Sequence, residues 1–159
     1  MYSILLVTTG RNRVSDILDT IECRPTVIDC SAFRHRTEFL NALSHIEHFD
    51  VMVTFRCPYF VPPEIFSRAG LIAVNIHPSL LPQYAGANPW QRMKAAHETK
   101  GGVTLHRMTD ALDGGEVIIQ RCFDMDLGPG IEDARNRSEQ IAAEILLSFL
   151  TSIPAMKLM

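Results

Sequence analysis

Asn75 and His77 stand two residues apart in the segment VNIHPSLLP, and a carboxylate, Asp113, follows in the turn DALDGG. In extended backbone, side chains at i and i+2 point the same way, so Asn75 and His77 present their polar groups together. An imidazole can carry a proton near neutral pH. An asparagine amide does not titrate there, but it donates hydrogen bonds to an oxygen on which negative charge grows. A carboxylate near an imidazole orients it and favours its protonated form. The glycines after Asp113 let backbone approach a ligand closely. Such a set suits attack on a carbonyl through a tetrahedral intermediate, with no nucleophilic serine or cysteine. The same trio also fits a purely structural polar network in a loop, so its meaning depends on the elements that position it.

Those elements read as alternating strands and helices. SILLVTT is a short apolar run ending at Gly10, a buried first strand. RVSDILDTIE carries Val14, Ile17, Leu18 and Ile21 on one helical face. Pro25 interrupts, and TVIDC is a second strand. Residues 36–48 place Phe39, Leu40, Leu43 and Ile46 at helical spacing, and FDVMVTF is a third strand. A proline-rich loop leads to a short helix, PEIFSRA, with Pro63 near its first turn. LIAVNI is the fourth strand, and HPSLLPQYAGANP is irregular because its prolines and glycine forbid a regular element. WQRMKAAHE reads as helix, GGVTLHRM and EVIIQRCF as two strands, and residues 131–152 as a long helix carrying Ile141, Ile145, Leu146 and Phe149. This alternation predicts an α/β fold, a Rossmann-like open and mostly parallel twisted sheet with helices on both faces. Ligands of such sheets collect beyond the carboxyl ends of strands, where Asn75 and His77 fall. Pro78 and Pro82 stiffen the loop that follows them.

Length and composition bound the rest. The chain has 159 residues, 47% of them apolar, which fits one domain, 1–159, with one core. The formal charge of -3, from 15 Lys and Arg against 18 Asp and Glu, argues against a nucleic-acid binder driven by bulk charge. Cys23, Cys30, Cys57 and Cys122 form no CxxC pair, and reduced thiols of a cytoplasmic protein are expected. No stretch approaches the ~20 apolar residues of a membrane span.

The text VNIHPSLLPQYAGANPWQRMKAAHETKGGVTLHRMTDALDGGEVIIQ, residues 74–120, resembles the folate-dependent formyltransferases. Their pattern is Asn-x-His-Pro-Ser-x-Leu-Pro, then Gly-Val-Thr-x-His, then an Asp followed by Gly and a short apolar strand. All three parts occur here in order. The resemblance implies that Asn75 contacts the formyl oxygen, that His77 stabilises the tetrahedral intermediate and that Asp113 pairs with His77. It implies 10-formyltetrahydrofolate as donor, an amine as acceptor and no metal. The pterin would lie between residues 55–61 and 109–115, with Arg56, Cys57, Tyr59, Phe60 and Val61 on one side and Thr109, Ala111 and Gly114 on the other. His106, in the Gly-Val-Thr-x-His segment, takes a supporting place by the same match; as an isolated histidine it reads as structural.

The segment TTGRNR reads in two ways. Gly10, Arg11, Asn12 and Arg13 could cradle an anionic group of the acceptor, with Pro78 nearby, or form a solvated strand-to-helix turn. Arg56 and Tyr59 likewise border a pocket or sit in an ordinary loop. His35, His45, His48 and His97 fit surface positions, and Met93 and Met108 fit core filling. Trp90 either caps the core or lines the acceptor entrance. The family often has an arginine after the aromatic of LPQYAG, where this chain has Ala85. By length and first loop the chain sits nearest the glycinamide ribonucleotide formyltransferases, so a small phosphorylated amine is expected over methionyl-tRNA. A formyltetrahydrofolate hydrolase and a non-catalytic folate-binding protein are the alternatives. Oligomeric state is not legible.

Overall fold

The computed structural model describes residues 1–156. Its order is β1 (Ser3–Thr8), α1 (Arg13–Ile17), β2 (Arg24–Asp29), a 3-10 turn (Cys30–Ala32), α2 (Arg36–Ser44), β3 (Val51–Phe55), α3 (Pro63–Phe66), β4 (Ile72–His77), α4 (Pro89–Ala95), β5 (Lys100–Arg107), β6 (Val117–Asp124) and α5 (Glu132–Met156). The six strands form one sheet in the order β2-β1-β3-β4-β5-β6. The first four are parallel, and β5 is reversed, pairing antiparallel with both β4 and β6. This is the mostly parallel α/β sheet that the alternation predicts.

Side-chain alternation sends the strands' apolar residues to two cores. Leu6, Val53, Val74, Ile76, Val103 and Leu105 pack with α5, through Ile141, Ile145, Leu146, Phe149 and Leu150. Leu5, Val7 and Met52 pack on the other face with Phe39 and Leu43 of α2 and Ile65 of α3. The polar residues of β3, β4 and β5 project on that second face: Thr54 follows Met52 by two, and Asn75 and His77 follow Ala73 by two and four.

Several boundaries differ from the expectation. The first helix ends at Ile17, after which Leu18, Asp19 and Thr20 donate to carbonyls only three residues back and the Thr20 hydroxyl turns onto the Ile17 carbonyl. The backbone has tightened and cannot continue as α-helix. Pro25 lies inside β2 and not before it, pairing with Ile4. A proline lacks a ladder donor, and β2 tolerates it because it is an edge strand. The helix of residues 36–48 stops at Ser44, where the Ser44 hydroxyl and His45 Nδ1 both bond the Asn41 carbonyl. His77 is the last residue of β4 and not the first of the loop. Among the described residues no helix is long and apolar enough to cross a membrane.

Candidate active site

The strand register builds a row of polar side chains across three strands. Thr54 of β3 is the partner of Asn75 of β4, and Asn75 is the partner of His106 of β5. The Thr54 hydroxyl donates to Asn75 Oδ1 at 2.7 Å, which fixes the amide with its nitrogen toward His106. Asn75 Nδ2 then donates to His106 Nε2 at 3.0 Å and to Asp113 Oδ1 at 3.3 Å. His106 Nδ1 lies 2.9 Å from the Arg107 carbonyl, so that nitrogen carries the hydrogen and Nε2 is free to accept.

His77, two residues along β4, is 7% exposed. Its Nε2 lies 2.8 Å from the Tyr84 carbonyl and donates there, and its Nδ1 faces Asp113 Oδ2 at 3.4 Å. Burial pushes the His77 imidazole below the ordinary histidine range; the Tyr84 carbonyl and the Asp113 charge pull the other way without overcoming it. A shift in that direction favours the neutral ring, with Nδ1 turned to the carboxylate.

Asp113 reaches the cluster from the β5–β6 connection. Its backbone is left-handed, with φ 51°, a conformation aspartate tolerates better than most residues. Burial alone would raise its pKa, but its hydrogen-bond donors, among them the Gly86 N–H at 2.8 Å from Oδ2, outweigh it, and the group lies below the ordinary carboxylate range. Gly115 makes this placement possible. A Cβ there would run into the Arg107 carbonyl, so only glycine lets the connection fold back on β5.

The loop after β4 is anchored from beneath. The buried Thr104 hydroxyl donates to the Ser79 carbonyl at 2.7 Å and accepts from Leu81 N–H at 3.2 Å and Gln120 Nε2 at 2.9 Å. Gly102 leaves room for Leu80, whose side chain fills the volume a Cβ would need. Arg92 of α4 donates to the carbonyls of Ala85 and Ala87 at 2.6 and 3.1 Å. The glycine and threonine of Gly-Val-Thr-x-His are thus loop anchors, and its histidine belongs to the polar row.

Above the cluster lies a cavity of about 790 Å³. Asn75, His77, Pro78, His106 and Asp113 form its floor, and Arg56, Cys57, Tyr59, Phe60 and Val61 line it from the loop after β3. Thr109 and Ala111 line it from the Asp113 loop, while Gly114 of the expected set does not. His106, read from sequence only as a support, touches both Asn75 and Asp113. Sequence reasoning missed Thr54, Leu112 and the α5 residues Arg135, Ser138 and Glu139, all of which line the cavity. A threonine in an apolar strand carries no signal of its own, and the α5 residues lie far from the motif in sequence.

The first loop stands apart. Among Thr9 to Arg13 only Thr9 lines the cavity. Gly10 N–H donates to the Asp29 carboxylate, Arg11 pairs in solvent with Asp16 and Asp19, and Asn12 caps α1. Arg13 N–H donates to Glu139. The amides of Gly10 and Arg13 thus already bond carboxylates, leaving an anion cradle here without support from the geometry.

Comparison with known proteins agrees with the motif. Residues 5–150 match the family model described as formyl transferase. Among curated relatives, methionyl-tRNA formyltransferase of Rickettsia massiliae (strain Mtu5) is 30% identical over 118 residues, 74% of this chain and 39% of that protein. The corresponding protein of Thermotoga sp. (strain RQ2) is 30% identical over 139 residues, 81% of this chain and 44% of that one. The chain therefore spans less than half the length of these curated relatives. Among solved structures, glycinamide ribonucleotide transformylase 1 from Symbiobacterium toebii superposes with a TM-score of 0.76 at 20% identity, over 93% of this chain and 85% of that one. The formyltransferase PseJ from Anoxybacillus kamchatkensis, solved with UDP-4,6-dideoxy-4-formamido-L-AltNAc and tetrahydrofolate, gives 0.73 at 25% identity, over 96% and 77%. The motif, the fold and a match over residues 5–150 agree: this chain belongs to the formyl transferase family.

Proposed function

We propose that the chain transfers a formyl group from 10-formyltetrahydrofolate to an amine, through a tetrahedral intermediate held by Asn75, His77 and Asp113. The observation that carries this reading is the buried Asn75–His106–Asp113–His77 cluster on the floor of a ligand-sized cavity, in a chain of this family. The donor's ring system enters between residues 55–61 and the Asp113 loop, and its formyl oxygen takes the Asn75 Nδ2 hydrogen that now bonds Asp113 Oδ1. The free amine attacks the formyl carbon, and charge grows on that oxygen. Neutral His77 accepts a proton at Nδ1 as the amine loses one, and the ionised Asp113 beside it stabilises the imidazolium so formed. The C–N bond to the donor then breaks, and the proton passes to the departing nitrogen.

The acceptor in this reading is a primary amine on a small anionic carrier. Arg56 and Arg135 reach the cavity wall, and the only ion pair of Arg135 among the described residues is a long one, 3.9 Å, to Glu132. A guanidinium so placed suits phosphate or carboxylate. The relatives named above carry methionyl-tRNA or glycinamide ribonucleotide in their names, or were solved with a UDP-linked formamido sugar, and we take a small substrate for this chain.

The test is tetrahydrofolate release from 10-formyltetrahydrofolate, with and without a panel of anionic primary amines. Release that requires an amine is expected. Release without one makes the chain a hydrolase, and binding without release makes it a folate-binding protein. Asn75→Ala and His77→Ala should each lower turnover by about a hundredfold while the protein stays folded. Full activity in His77→Ala would remove the histidine from the mechanism.

A further inference from the structure

Cys57 lines the cavity, and the cavity's chemistry makes no use of its thiol. Its sulfur lies 3.7 Å from that of Cys30, with the Cys30 thiol as hydrogen-bond donor. The two come from distant segments: Cys30 opens the 3-10 turn after β2, and Cys57 follows the left-handed Arg56 at the end of β3. Cys30 is 2% exposed, whereas Cys57 is half-buried, so a small oxidant entering the cavity meets only Cys57. Cys23 and Cys122 take no part in this contact.

We propose that Cys30 and Cys57 form a redox-active pair, which a hydroperoxide closes to a disulfide that weakens donor binding. The first step is attack of the Cys57 thiolate on a peroxide oxygen. The O–O bond breaks, hydroxide leaves and is protonated to water, and Cys57 becomes a sulfenic acid. The Cys30 thiol then attacks the Cys57 sulfur, the S–O bond breaks, and the Cys30 proton leaves with the hydroxyl as a second water. Two thiols are oxidised by two electrons and one peroxide is reduced. The hydrogen bond between the sulfurs sets the order of events: it holds the Cys57 thiol below the ordinary range and Cys30 above it. The sulfur that faces the cavity is thereby the nucleophile and the buried one resolves the intermediate.

The consequence for the cavity follows from what can move. Disulfide formation brings the sulfurs about 1.7 Å closer than the present 3.7 Å. Cys30 is held in a turn capped by Asp29 and packed within the core of Phe39 and Leu43. Cys57 lies in a segment without regular structure, so the displacement falls there. Its thiol gives up the 3.2 Å hydrogen bond to the Tyr59 carbonyl. The Tyr59 ring stacks on Phe39 at 4.9 Å and its hydroxyl bonds the Phe33 carbonyl, so Tyr59 is anchored and the change falls on Cys57 and Pro58, both of which line the cavity.

The effect on donor binding rests on the folate reading above, so the experiment separates the two. The protein is treated with hydrogen peroxide, freed of oxidant, alkylated under denaturing conditions and digested without reductant. A linked peptide joining Cys30 and Cys57 is expected by mass spectrometry. In parallel, quenching of Trp90, the single tryptophan and a cavity residue, follows binding of 10-formyl-5,8-dideazafolate, a donor analogue. Oxidation should weaken binding roughly tenfold, dithiothreitol should restore it, and Cys30→Ser should bind like the reduced protein before and after peroxide. Oxidation of Cys57 alone, with no linked peptide from the wild-type chain, overturns the proposal, as does a linked peptide with unchanged binding. A reduced protein that does not bind the analogue overturns the folate reading and with it the effect on binding, while the peptide map decides the pair's chemistry by itself.

Discussion

Thr54→Val tests the polar row at the hydroxyl that orients the Asn75 amide. The hydroxyl donates to Asn75 Oδ1 at 2.7 Å from a site 3% exposed, and valine replaces it with a methyl of similar volume in a strand that suits valine. The loss has two parts. A net hydrogen bond of about 1 kcal/mol no longer fixes the amide, and Asn75 Oδ1 is left without its donor. The amide still does not turn over freely, because a flip would aim Oδ1 at Asp113 Oδ1, now 3.3 Å from Nδ2, and at the lone pair of His106 Nε2. Two bonds keep the orientation that the third no longer enforces. The expected result is a five- to tenfold fall in kcat, or about 1–1.4 kcal/mol, with the donor KM little changed. Thr54→Ser should behave like the parent. The assay is tetrahydrofolate release at saturating acceptor, with thermal unfolding as the control for folding. A fully active Thr54→Val would show that Asn75 needs no orienting partner, and a loss as deep as that of Asn75→Ala would show that the two remaining bonds hold nothing.

Other expectations follow from the same geometry. Because burial keeps His77 neutral, kcat/KM for the donor should rise through a group with a pKa below ~6.5, the ordinary histidine value; an acid limb centred at or above that value counts against His77 as the base. The same shift bears on stability: the folded pKa is depressed, so the unfolded chain binds the proton first as pH falls. His77's contribution is complete above ~6.5 and fades as pH drops toward the folded value, while Asp113, also depressed, keeps its contribution until pH falls below ~3.9. Urea midpoints measured between pH 7.5 and pH 5 should decline, and His77→Gln should flatten that decline. Asp113→Asn keeps an acceptor for the Gly86 N–H but removes the charge facing His77; turnover should fall on the order of 10²- to 10⁴-fold with donor binding retained. Gly115→Ala places a methyl against the Arg107 carbonyl, should cost about 1–3 kcal/mol in chemical unfolding, and should lower turnover because Asp113 rides on the same turn.

Periodicity made the element order and the mostly parallel sheet legible, because β-branched runs and helical spacing are local signals. Where it erred, a local pattern met a tertiary fact. Pro25 reads as a breaker until β2 is known to be an edge. The spacing of Ile17 and Ile21 continues past the point where Thr20 bends the backbone away. The site was legible where residues sat close together: Asn75 and His77 share one strand, and the glycines after Asp113 announce its turn. Thr54 was not, since its role depends on the register between β3 and β4, which no local pattern specifies. Nor was the burial of His77, which comes from the whole fold.

The pairing of Thr54 with Asn75 and of Asn75 with His106 also bears on how the chain folds. Side chains alternate along a strand, so a slip of one residue between β4 and β5 would send His106 to the face occupied by Val74 and Ile76. Such a sheet could keep most of its backbone hydrogen bonds and look native to circular dichroism. It would have no row, no partner for Asp113 and no turnover. Turnover therefore reports strand alignment more sharply than secondary structure does. Refolding followed by both measures should show ellipticity recovering ahead of activity whenever misaligned sheets form on the way.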